Sequence, residues 1–292
     1  MQRRLLLCPS PKVNEIVLGI LGRALADPEL AAVQLHGFIV FTTHVELLTT
    51  PHDANLLARF MNFVNSNIAR KIGKLTKWSG PFWQRRFKPI AILDDDALVG
   101  RMRYLLSHGC KEGFVERPRD WPGASCLPAL VSGQSLKGVW YNETAMSKAR
   151  KRGESTDPRD FATVYEVPLT PIPCLADKTA QEQRLFYRKM VAEIVQETRE
   201  TNRALGRTPR GAAWVCRQDP HAVPEGTSNS PAPPCHSSNR HVRLTFLAAY
   251  RAFLDAYRRA AQMLRAGLAA VFPPNCFPPG QPFVPVAPAQ PP

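Results

Sequence analysis

Four residues of this chain have the types and the spacing that metal-assisted phosphodiester chemistry uses. His44 and Glu46 are two apart in a predicted strand, so their side chains lie on the same face of it. Tyr104 and His108 are four apart in a predicted helix, so they lie one above the other. If the two faces meet, two imidazoles and a carboxylate surround a divalent metal ion beside a phenol that can act as a nucleophile.

Each part of this arrangement also has a simpler explanation. A histidine and a glutamate two apart are common on the solvent face of a half-buried strand. A tyrosine on a helix most often packs its ring at the edge of the core. The four residues therefore define a candidate site, and its test is whether the strand and the helix meet.

A positive charge excess indicates a polyanionic partner. The chain has 292 residues, with 38 lysines and arginines against 24 acidic residues and a formal net charge of +14. Such an excess favours nucleic acid. The alternative is a basic protein whose arginines serve only the solvated surface.

A loop at residues 77–88 concentrates this charge among aromatic side chains. Aromatic faces stack on unpaired bases and cations follow the phosphate backbone. The alternative is a loop whose aromatic rings plug a small core while its cations face solvent, and both can hold together. The predicted DNA-binding residues are four in this loop and two in the tyrosine-bearing helix: Trp83, Arg85, Arg86, Lys88, Arg101 and Arg103.

The elements that must position these residues follow from the hydrophobic periodicity. Residues 12–26 are predicted to form an apolar helix, in which Gly19 and Gly22 are best explained by close packing. The remaining predicted elements near the site are strands at 33–41 and 44–49, a helix capped by Asp53, a strand at 90–93 and a helix that begins after the Asp94–Asp96 run.

The second half of the chain is predicted to be less regular. Residues 131–177 are interpreted as a linker, 178–205 as a helix and 206–240 as disordered. A basic helix is expected at 241–268 and a Pro-rich tail at 269–292. The 178–205 helix begins with Thr179 and Glu182, the residues of a capping box.

Cysteine usage and hydropathy bear on the compartment. The seven cysteines occur singly, without a Cys-x-x-Cys pair, so a zinc knuckle is not expected. The N-terminal apolar run is too short for a secretory signal, and no stretch is long enough to span a bilayer. A cytoplasmic, nucleoid-associated protein with reduced thiols and no membrane partner is expected.

Taken in order, four segments resemble the motifs of a known family. They are THVELL at 43–48, GPFWQRRF at 80–87, YLLSHGCKEGFV at 104–115 and WPGAS at 121–125. Residues 5–130 resemble the REP-associated tyrosine transposases, the single-tyrosine branch of the HUH nucleases. Here the HUH motif is degenerate, because Glu46 occupies the position of the second histidine.

The resemblance implies both a fold and an activity. Residues 1–130 would form a transposase-like domain of the α+β class, a ferredoxin-like antiparallel sheet with flanking helices, followed by a mostly helical extension. The sheet's first strand would be missing or reduced to a stub near residues 3–7. A divalent metal, Mg or Mn, would bind His44, Glu46 and His108.

The implied reaction is nicking and strand transfer of single-stranded or hairpin DNA through a covalent bond to Tyr104. Monomer and homodimer both remain open. One alternative is a catalytically decayed DNA- or RNA-binding descendant that keeps the fold and the basic surface. Another is a protein-interaction scaffold that uses the two long C-terminal helices.

Overall fold

The structure, a computed structural model, describes residues 4–154, 157–224 and 233–280. Over these residues the chain alternates between helices and short strands. The helices are α1 (Pro11–Leu25), α2 (Ala54–Leu75), α3 (Asp95–Lys111), α4 (Leu127–Ser132), α5 (Glu143–Lys151), α6 (Ala180–Ala204), α7 (Ala212–Cys216) and α8 (Arg240–Arg265). The strands are β1 (Gln34–Val40), β2 (Val45–Thr50), β3 (Ala91–Ile92), β4 (Lys137–Tyr141), β5 (Ala162–Glu166) and β6 (Cys235–His236).

The molecule is of the predicted α+β class, with small antiparallel sheets, flanking helices and a helical C-terminal region. β1 pairs with β2 and β4 with β5, both antiparallel, whereas the short β3 and β6 are parallel. The described strands therefore form three separate two-stranded sheets. The resemblance implied one ferredoxin-like antiparallel sheet, whereas these strands pair two by two.

β1 lies at the centre of the site-bearing region because both of its edges are covered. β2 occupies one edge. On the other, Val40 donates its backbone N–H to Ala124 and Cys126 donates to Phe38, at 2.9 and 3.0 Å. Thr170 donates to Leu35 at 2.8 Å. A loop and an extended segment thus satisfy the edge that a missing first strand would have left unpaired.

The N-terminal stub is not a strand, although its first residues are buried. Leu6 and Leu7 are almost fully buried, and Leu7 donates one backbone hydrogen bond to Thr42. Arg3, the first residue of the predicted stub, lies outside the described residues.

The predicted helices begin at the capping residues that the sequence indicated. Asp53 and Asp94 each accept a hydrogen bond from a backbone N–H of the first turn, in α2 and α3. Thr179 and Glu182 form the predicted capping box of α6.

The interpretation of residues 131–177 as a linker is wrong, because β4 and β5 form an antiparallel pair that packs on α1. We call this pair the β4–β5 hairpin, and α5 lies in the connection between its strands. The approach is so close that a Cβ on Gly19 would lie 2.2 Å from the carbonyl oxygen of Val139. A Cβ on Gly22 would lie 2.7 Å from Cβ of Tyr165. The packing role predicted for the glycines of α1 is confirmed, and the hairpin is their partner.

The described parts of residues 206–240 are also more ordered than predicted. α7 buries Val215 in the core, and β6 buries Cys235 against β3. Residues 225–232 lie outside the described residues. The sequence composition suggested disorder because it is rich in Pro and Ser, but Val215 and Cys235 anchor the described segments to the rest of the structure.

The central hydrophobic core takes its fully buried side chains from residues 6 to 215. The long helix α8 contributes none of them. Among the described residues, no helix combines the length and apolar character that a membrane span requires.

Candidate metal centre

The β1–β2 hairpin places His44 and Glu46 beside α3. The turn closes where Phe41 donates its backbone N–H to the carbonyl of His44 at 2.8 Å, and β2 begins at the next residue. Glu46 is paired with Ile39 in the register of the hairpin. His44 therefore lies in the turn, one residue before the strand that was predicted to contain it, and its side chain reaches the same α3 side as that of Glu46.

The predicted meeting of the strand and the helix is confirmed. Nδ1 of His108 lies 3.2 Å from one carboxylate oxygen of Glu46, and Nε2 of His44 lies 3.8 Å from the other. One ligand atom from each of these residues lies within 4.8 Å of the other two. A His44–Glu46–His108 group that could hold a metal ion is thus present, with His108 the most buried member at 5% side-chain exposure.

Aromatic packing fixes the orientation of His108. Its imidazole stacks on Phe41, with ring centroids 4.2 Å apart, and Phe41 stacks in turn on Trp121 at 4.4 Å. The Trp121 indole N–H donates to the carbonyl of Val40 at 3.1 Å, which ties the stack to β1. Sequence reasoning missed Phe41 and Trp121 as positioning residues, because only the fold brings them together.

A separate contact orients His44. The Thr43 hydroxyl lies 3.0 Å from Nδ1 of His44. With Nδ1 engaged, Nε2 is the nitrogen that faces Glu46 and is available to a metal.

The electrostatics of the group suit metal binding. Burial, together with the charge of His108, lowers the pKa of His44 to about 4. The hydrogen bond and charge of His108, with the charges of His44 and Arg101, outweigh burial and lower the pKa of Glu46. A neutral imidazole and an ionised carboxylate are the protonation states that ligate metals.

Tyr104 lies at the edge of this group, half-buried on α3. Its ring centroid is 5.2 Å from that of His108. The Arg101 guanidinium carbon lies 4.0 Å and the Lys111 ammonium 4.8 Å from the centre of the tyrosine ring. Lys111 is a site residue that sequence reasoning missed, although its position seven residues after Tyr104 indicates the same helix face.

The pKa of Tyr104 reflects two opposing influences. Burial and the negative charge of Glu46 raise the pKa, whereas the charge and hydrogen bond of Arg101 lower it, and the net direction is upward. In the protein alone the phenol is therefore held protonated. A cation between the three ligands would oppose the effect of Glu46.

The loop residues divide into buried and exposed sets, as the combined interpretation predicted. Trp83 is half-buried, and its indole N–H donates to the carbonyl of Asn65 on α2 at 2.8 Å. Arg85, Arg86 and Lys88 are exposed. Trp83 therefore also anchors the loop, and the cations are the part of it that is accessible.

Arg103 has a structural environment that its predicted DNA-binding role did not anticipate. Its guanidinium donates to Glu193 at 2.8 Å and to Glu197 at 2.6 Å, which links α3 to α6. A guanidinium already paired with two carboxylates is neutralised, so the prediction of Arg103 as a nucleic-acid contact is not supported. Arg101, two residues earlier, faces Tyr104 instead.

Comparison with family models, with curated proteins and with solved structures finds no match to this chain. The class of the site therefore rests on its geometry. It is a group of two histidines and one carboxylate beside a tyrosine flanked by cations.

Proposed function

We propose that this protein nicks and rejoins single-stranded or hairpin DNA through a covalent bond to Tyr104, with a divalent metal ion as cofactor. The observation that carries the proposal is the convergence of His44, Glu46 and His108 within 4.8 Å, with Tyr104 one helical turn before His108.

The donor set fits a divalent ion and favours Mn over Mg. Two imidazole nitrogens and one carboxylate oxygen would occupy one side of the ion and leave positions open for phosphate oxygens. Mg prefers oxygen ligands throughout, whereas Mn also accepts imidazole. When bound, the ion would polarise and orient the scissile phosphate.

Tyr104 supplies the nucleophile. The phenol oxygen forms a bond to phosphorus while the bond from phosphorus to one deoxyribose oxygen breaks, and the phenol proton is lost to solvent. The released deoxyribose oxygen takes up a proton and becomes a free hydroxyl. Arg101 and Lys111, at the tyrosine ring, stabilise the negative charge that develops on the phenol oxygen.

Rejoining is the same exchange in reverse. A hydroxyl at a strand end attacks the phosphotyrosine, its proton is lost, and the phenol is regenerated. One phosphodiester replaces another, so the reaction needs no nucleotide triphosphate.

The positive charge of the chain supports binding of the strand. Exposed Arg85 and Arg86, with Lys88 beside them, offer cations to the phosphate backbone. Arg101 offers one next to the nucleophile. These contacts are sequence-independent, so they orient the strand without selecting its bases.

A second function is favoured by the electrostatics around Tyr104. The raised pKa of Tyr104 and the carboxylate at the position of the second histidine both disfavour a phenolate. A non-catalytic DNA- or RNA-binding descendant would keep the basic surface and lose the covalent step.

The test is incubation of the full chain with a labelled hairpin oligonucleotide and Mn or Mg, followed by denaturing electrophoresis. We expect a covalent adduct that Tyr104→Phe abolishes and Glu46→Gln weakens. The matched control is Tyr187→Phe, because the buried Tyr187 hydroxyl has no hydrogen-bond partner among the described residues and its loss should leave the adduct intact.

The other outcomes are equally informative. Salt-sensitive oligonucleotide binding without an adduct in either metal would replace nicking with the binding-only function. Absence of both would overturn the nucleic-acid proposal altogether.

A further inference from the structure

The helix α8 presents a strongly basic, amphipathic surface outside the hydrophobic core. It has one acidic residue, Asp255, against six arginines. The arginines are Arg240, Arg243, Arg251, Arg258, Arg259 and Arg265. Its only fully buried side chains are those of two alanines, Ala260 and Ala261. A helix of 26 residues with so little buried surface has a face available to a partner.

Aromatic rings follow one face of this helix. Phe246, Tyr250, Phe253 and Tyr257 are separated by four, three and four residues, a spacing that keeps them in one stripe. The rings of Phe246 and Tyr250 are parallel within 7° with centroids 6.1 Å apart, and Tyr250 is 41% exposed. The seven-residue spacing from Arg251 to Arg258 places cations along the edge of the stripe. Arg258 also pairs with Asp255 at 3.4 Å, but both side chains are exposed, so this ion pair is weak and leaves the guanidinium accessible.

The start of α8 is fixed beside α3. The Asp94 carboxylate, which caps α3, accepts hydrogen bonds from the hydroxyl of Ser237 at 2.6 Å and from the backbone and hydroxyl of Ser238 at 2.9 and 2.8 Å. Leu93 donates its backbone N–H to His236 at 3.0 Å, which extends the β3–β6 pairing. α8 therefore begins where α3 begins.

This placement aligns the start of α8 with the tyrosine. Tyr104 lies nine residues after the first residue of α3, or about 14 Å along the helix axis. Between them lies Arg101, close enough to His236 that its charge contributes to lowering the pKa of that histidine. A strand held at Tyr104 and Arg101 that runs towards the start of α3 meets His236 and then the first arginines of α8.

We propose that α8 is a second binding surface for single-stranded nucleic acid, which receives the strand beyond the nicking site. This inference deepens the proposed function and rests on it for the direction of the strand. Bases stack on Phe246, Tyr250 and Phe253, and phosphates pair with the arginines along the edge of the stripe. Tyr257 is not part of this stacking surface, because its ring packs against Phe272 at 5.4 Å and its hydroxyl donates to the carbonyl of Phe277. The part from Phe246 to Phe253 spans seven residue steps, or about 10 Å, which is room for about two extended nucleotides.

The charge of α8 argues against pairing with a second copy of the same helix. Two copies packed through their aromatic stripes would bring their arginine rows together, and like charges in contact are unfavourable. An anionic membrane surface also suits a basic amphipathic helix. The start of α8 is fixed beside the start of α3, the helix that carries Arg101 and Tyr104, and this favours the nucleic acid. Binding to a membrane is one outcome of the test.

The test compares a labelled DNA hairpin that carries a 12-nucleotide single-stranded tail with the same hairpin without the tail. The variant Arg243→Glu/Arg251→Glu/Arg258→Glu should bind the tailed probe roughly tenfold more weakly at moderate salt. The slope of the logarithm of its binding constant against the logarithm of the salt concentration should become shallower by about 2, since three phosphate contacts are lost. Tyr250→Ala should weaken the same probe without any change in charge.

The matched control is Lys148→Glu/Arg150→Glu/Lys151→Glu, which makes the same charge change at exposed positions of α5. It should leave the preference for the tailed probe close to that of the wild type. Equal weakening by both triple variants, or equal loss on the tailed and untailed probes, would overturn the proposal. The proposal would also be overturned if the α8 substitutions weakened binding to phosphatidylglycerol vesicles and left binding of the tail unchanged.

The outcomes separate this inference from the proposed function. If binding of the tail depends on α8 but the protein forms no covalent adduct, the second binding surface is supported and the nicking activity is contradicted. If the adduct forms normally and the α8 substitutions do not change binding of the tail, only the second binding surface is contradicted.

Discussion

At the scale of single residues, the site depends on how His108 is held. Its imidazole is stacked on Phe41 and hydrogen-bonded to Glu46, so the ring is oriented before any metal binds. Preorganisation of this kind lowers the cost of binding, because the ligands do not have to be ordered when the ion arrives. Glu46 is the central member, since it contacts both histidines.

Substitution of Glu46 tests the identity of the ligand set. Glu46→Gln keeps the size of the side chain and removes its charge, so Mn affinity measured by calorimetry should fall about tenfold or more. Glu46→His restores a pair of histidines on the strand, and we expect it to bind metal with a preference shifted from Mn towards Zn. Unchanged Mn affinity in Glu46→Gln would show that the carboxylate is not a ligand.

The two arginines on α3 should behave differently. Arg101→Ala removes a cation at the tyrosine ring, so oligonucleotide binding should weaken and its salt slope should fall by about 0.7. Arg103→Ala breaks the contacts with Glu193 and Glu197 instead, so binding should not change and the free energy of unfolding should fall by at most about 1 kcal/mol. Oligonucleotide titration and urea denaturation of both variants separate these effects. Equal weakening of binding by the two would contradict the assignment.

The sequence predicted the ligands because they obey local periodicity. His44 and Glu46 share a strand face, and Tyr104 and His108 share a helix face, whatever the rest of the chain does. The residues it missed depend on distant partners. Phe41 and Trp121 are 80 residues apart, and nothing in the local pattern of either one indicates their stacking.

At the scale of the elements, the contact between α1 and the β4–β5 hairpin is the tightest. Gly19→Ala would place a methyl group 2.2 Å from a backbone oxygen of β4, which cannot move without disturbing the hairpin. We expect the free energy of unfolding to fall by about 1–3 kcal/mol. The matched control is Gly100→Ala on α3, where nothing lies within 4 Å and the better helix propensity should stabilise by up to about 1 kcal/mol.

Chemical denaturation of the two variants checks the α1 contact. A Gly19→Ala protein as stable as the wild type would mean that α1 and β4 do not approach as closely as described.

Elements with strong caps and long periodic faces were predictable, whereas elements formed by distant pairing were not. The helix at Ala180–Ala204 has its capping box and apolar stripe within one segment, and its sequence specifies it alone. β4 and β5 each have five residues and pair across an intervening helix, so each is weak by itself and becomes a strand only on packing against α1. The two-residue β6 requires β3, more than a hundred residues earlier.

At the scale of the whole molecule, the buried thiols couple folding to alkaline pH. Burial raises the pKa of Cys8 and Cys110 to about 11 and that of Cys126 to about 12, from an ordinary value of 9. Above pH 9 the unfolded chain releases these protons while the folded chain keeps them, so stability falls as the pH rises.

The loss of stability at alkaline pH can be assigned to individual thiols. Between pH 8 and pH 10 we expect each one to cost about 1 kcal/mol of unfolding free energy. Cys126→Ala should reduce the loss of stability between the two pH values by the contribution of one thiol. Urea denaturation at the two pH values measures the change. The same alkaline slope in Cys126→Ala would contradict the linkage.

Metal binding should stabilise the whole molecule because its ligands come from separate elements. His44 and Glu46 belong to the β1–β2 hairpin and His108 to α3, and the unfolded chain does not hold these side chains together. An ion that binds only the folded state adds about 2.7 kcal/mol to the free energy of unfolding when its concentration is 100 times the dissociation constant.

Mn should therefore raise the melting temperature, and a chelator should reverse the increase. Glu46→Gln should lose this response, whereas Tyr104→Phe should keep it, since the phenol is placed as the nucleophile beside the ion and not as a ligand. The reverse pattern, with the response lost in Tyr104→Phe and kept in Glu46→Gln, would exchange the roles of the carboxylate and the phenol.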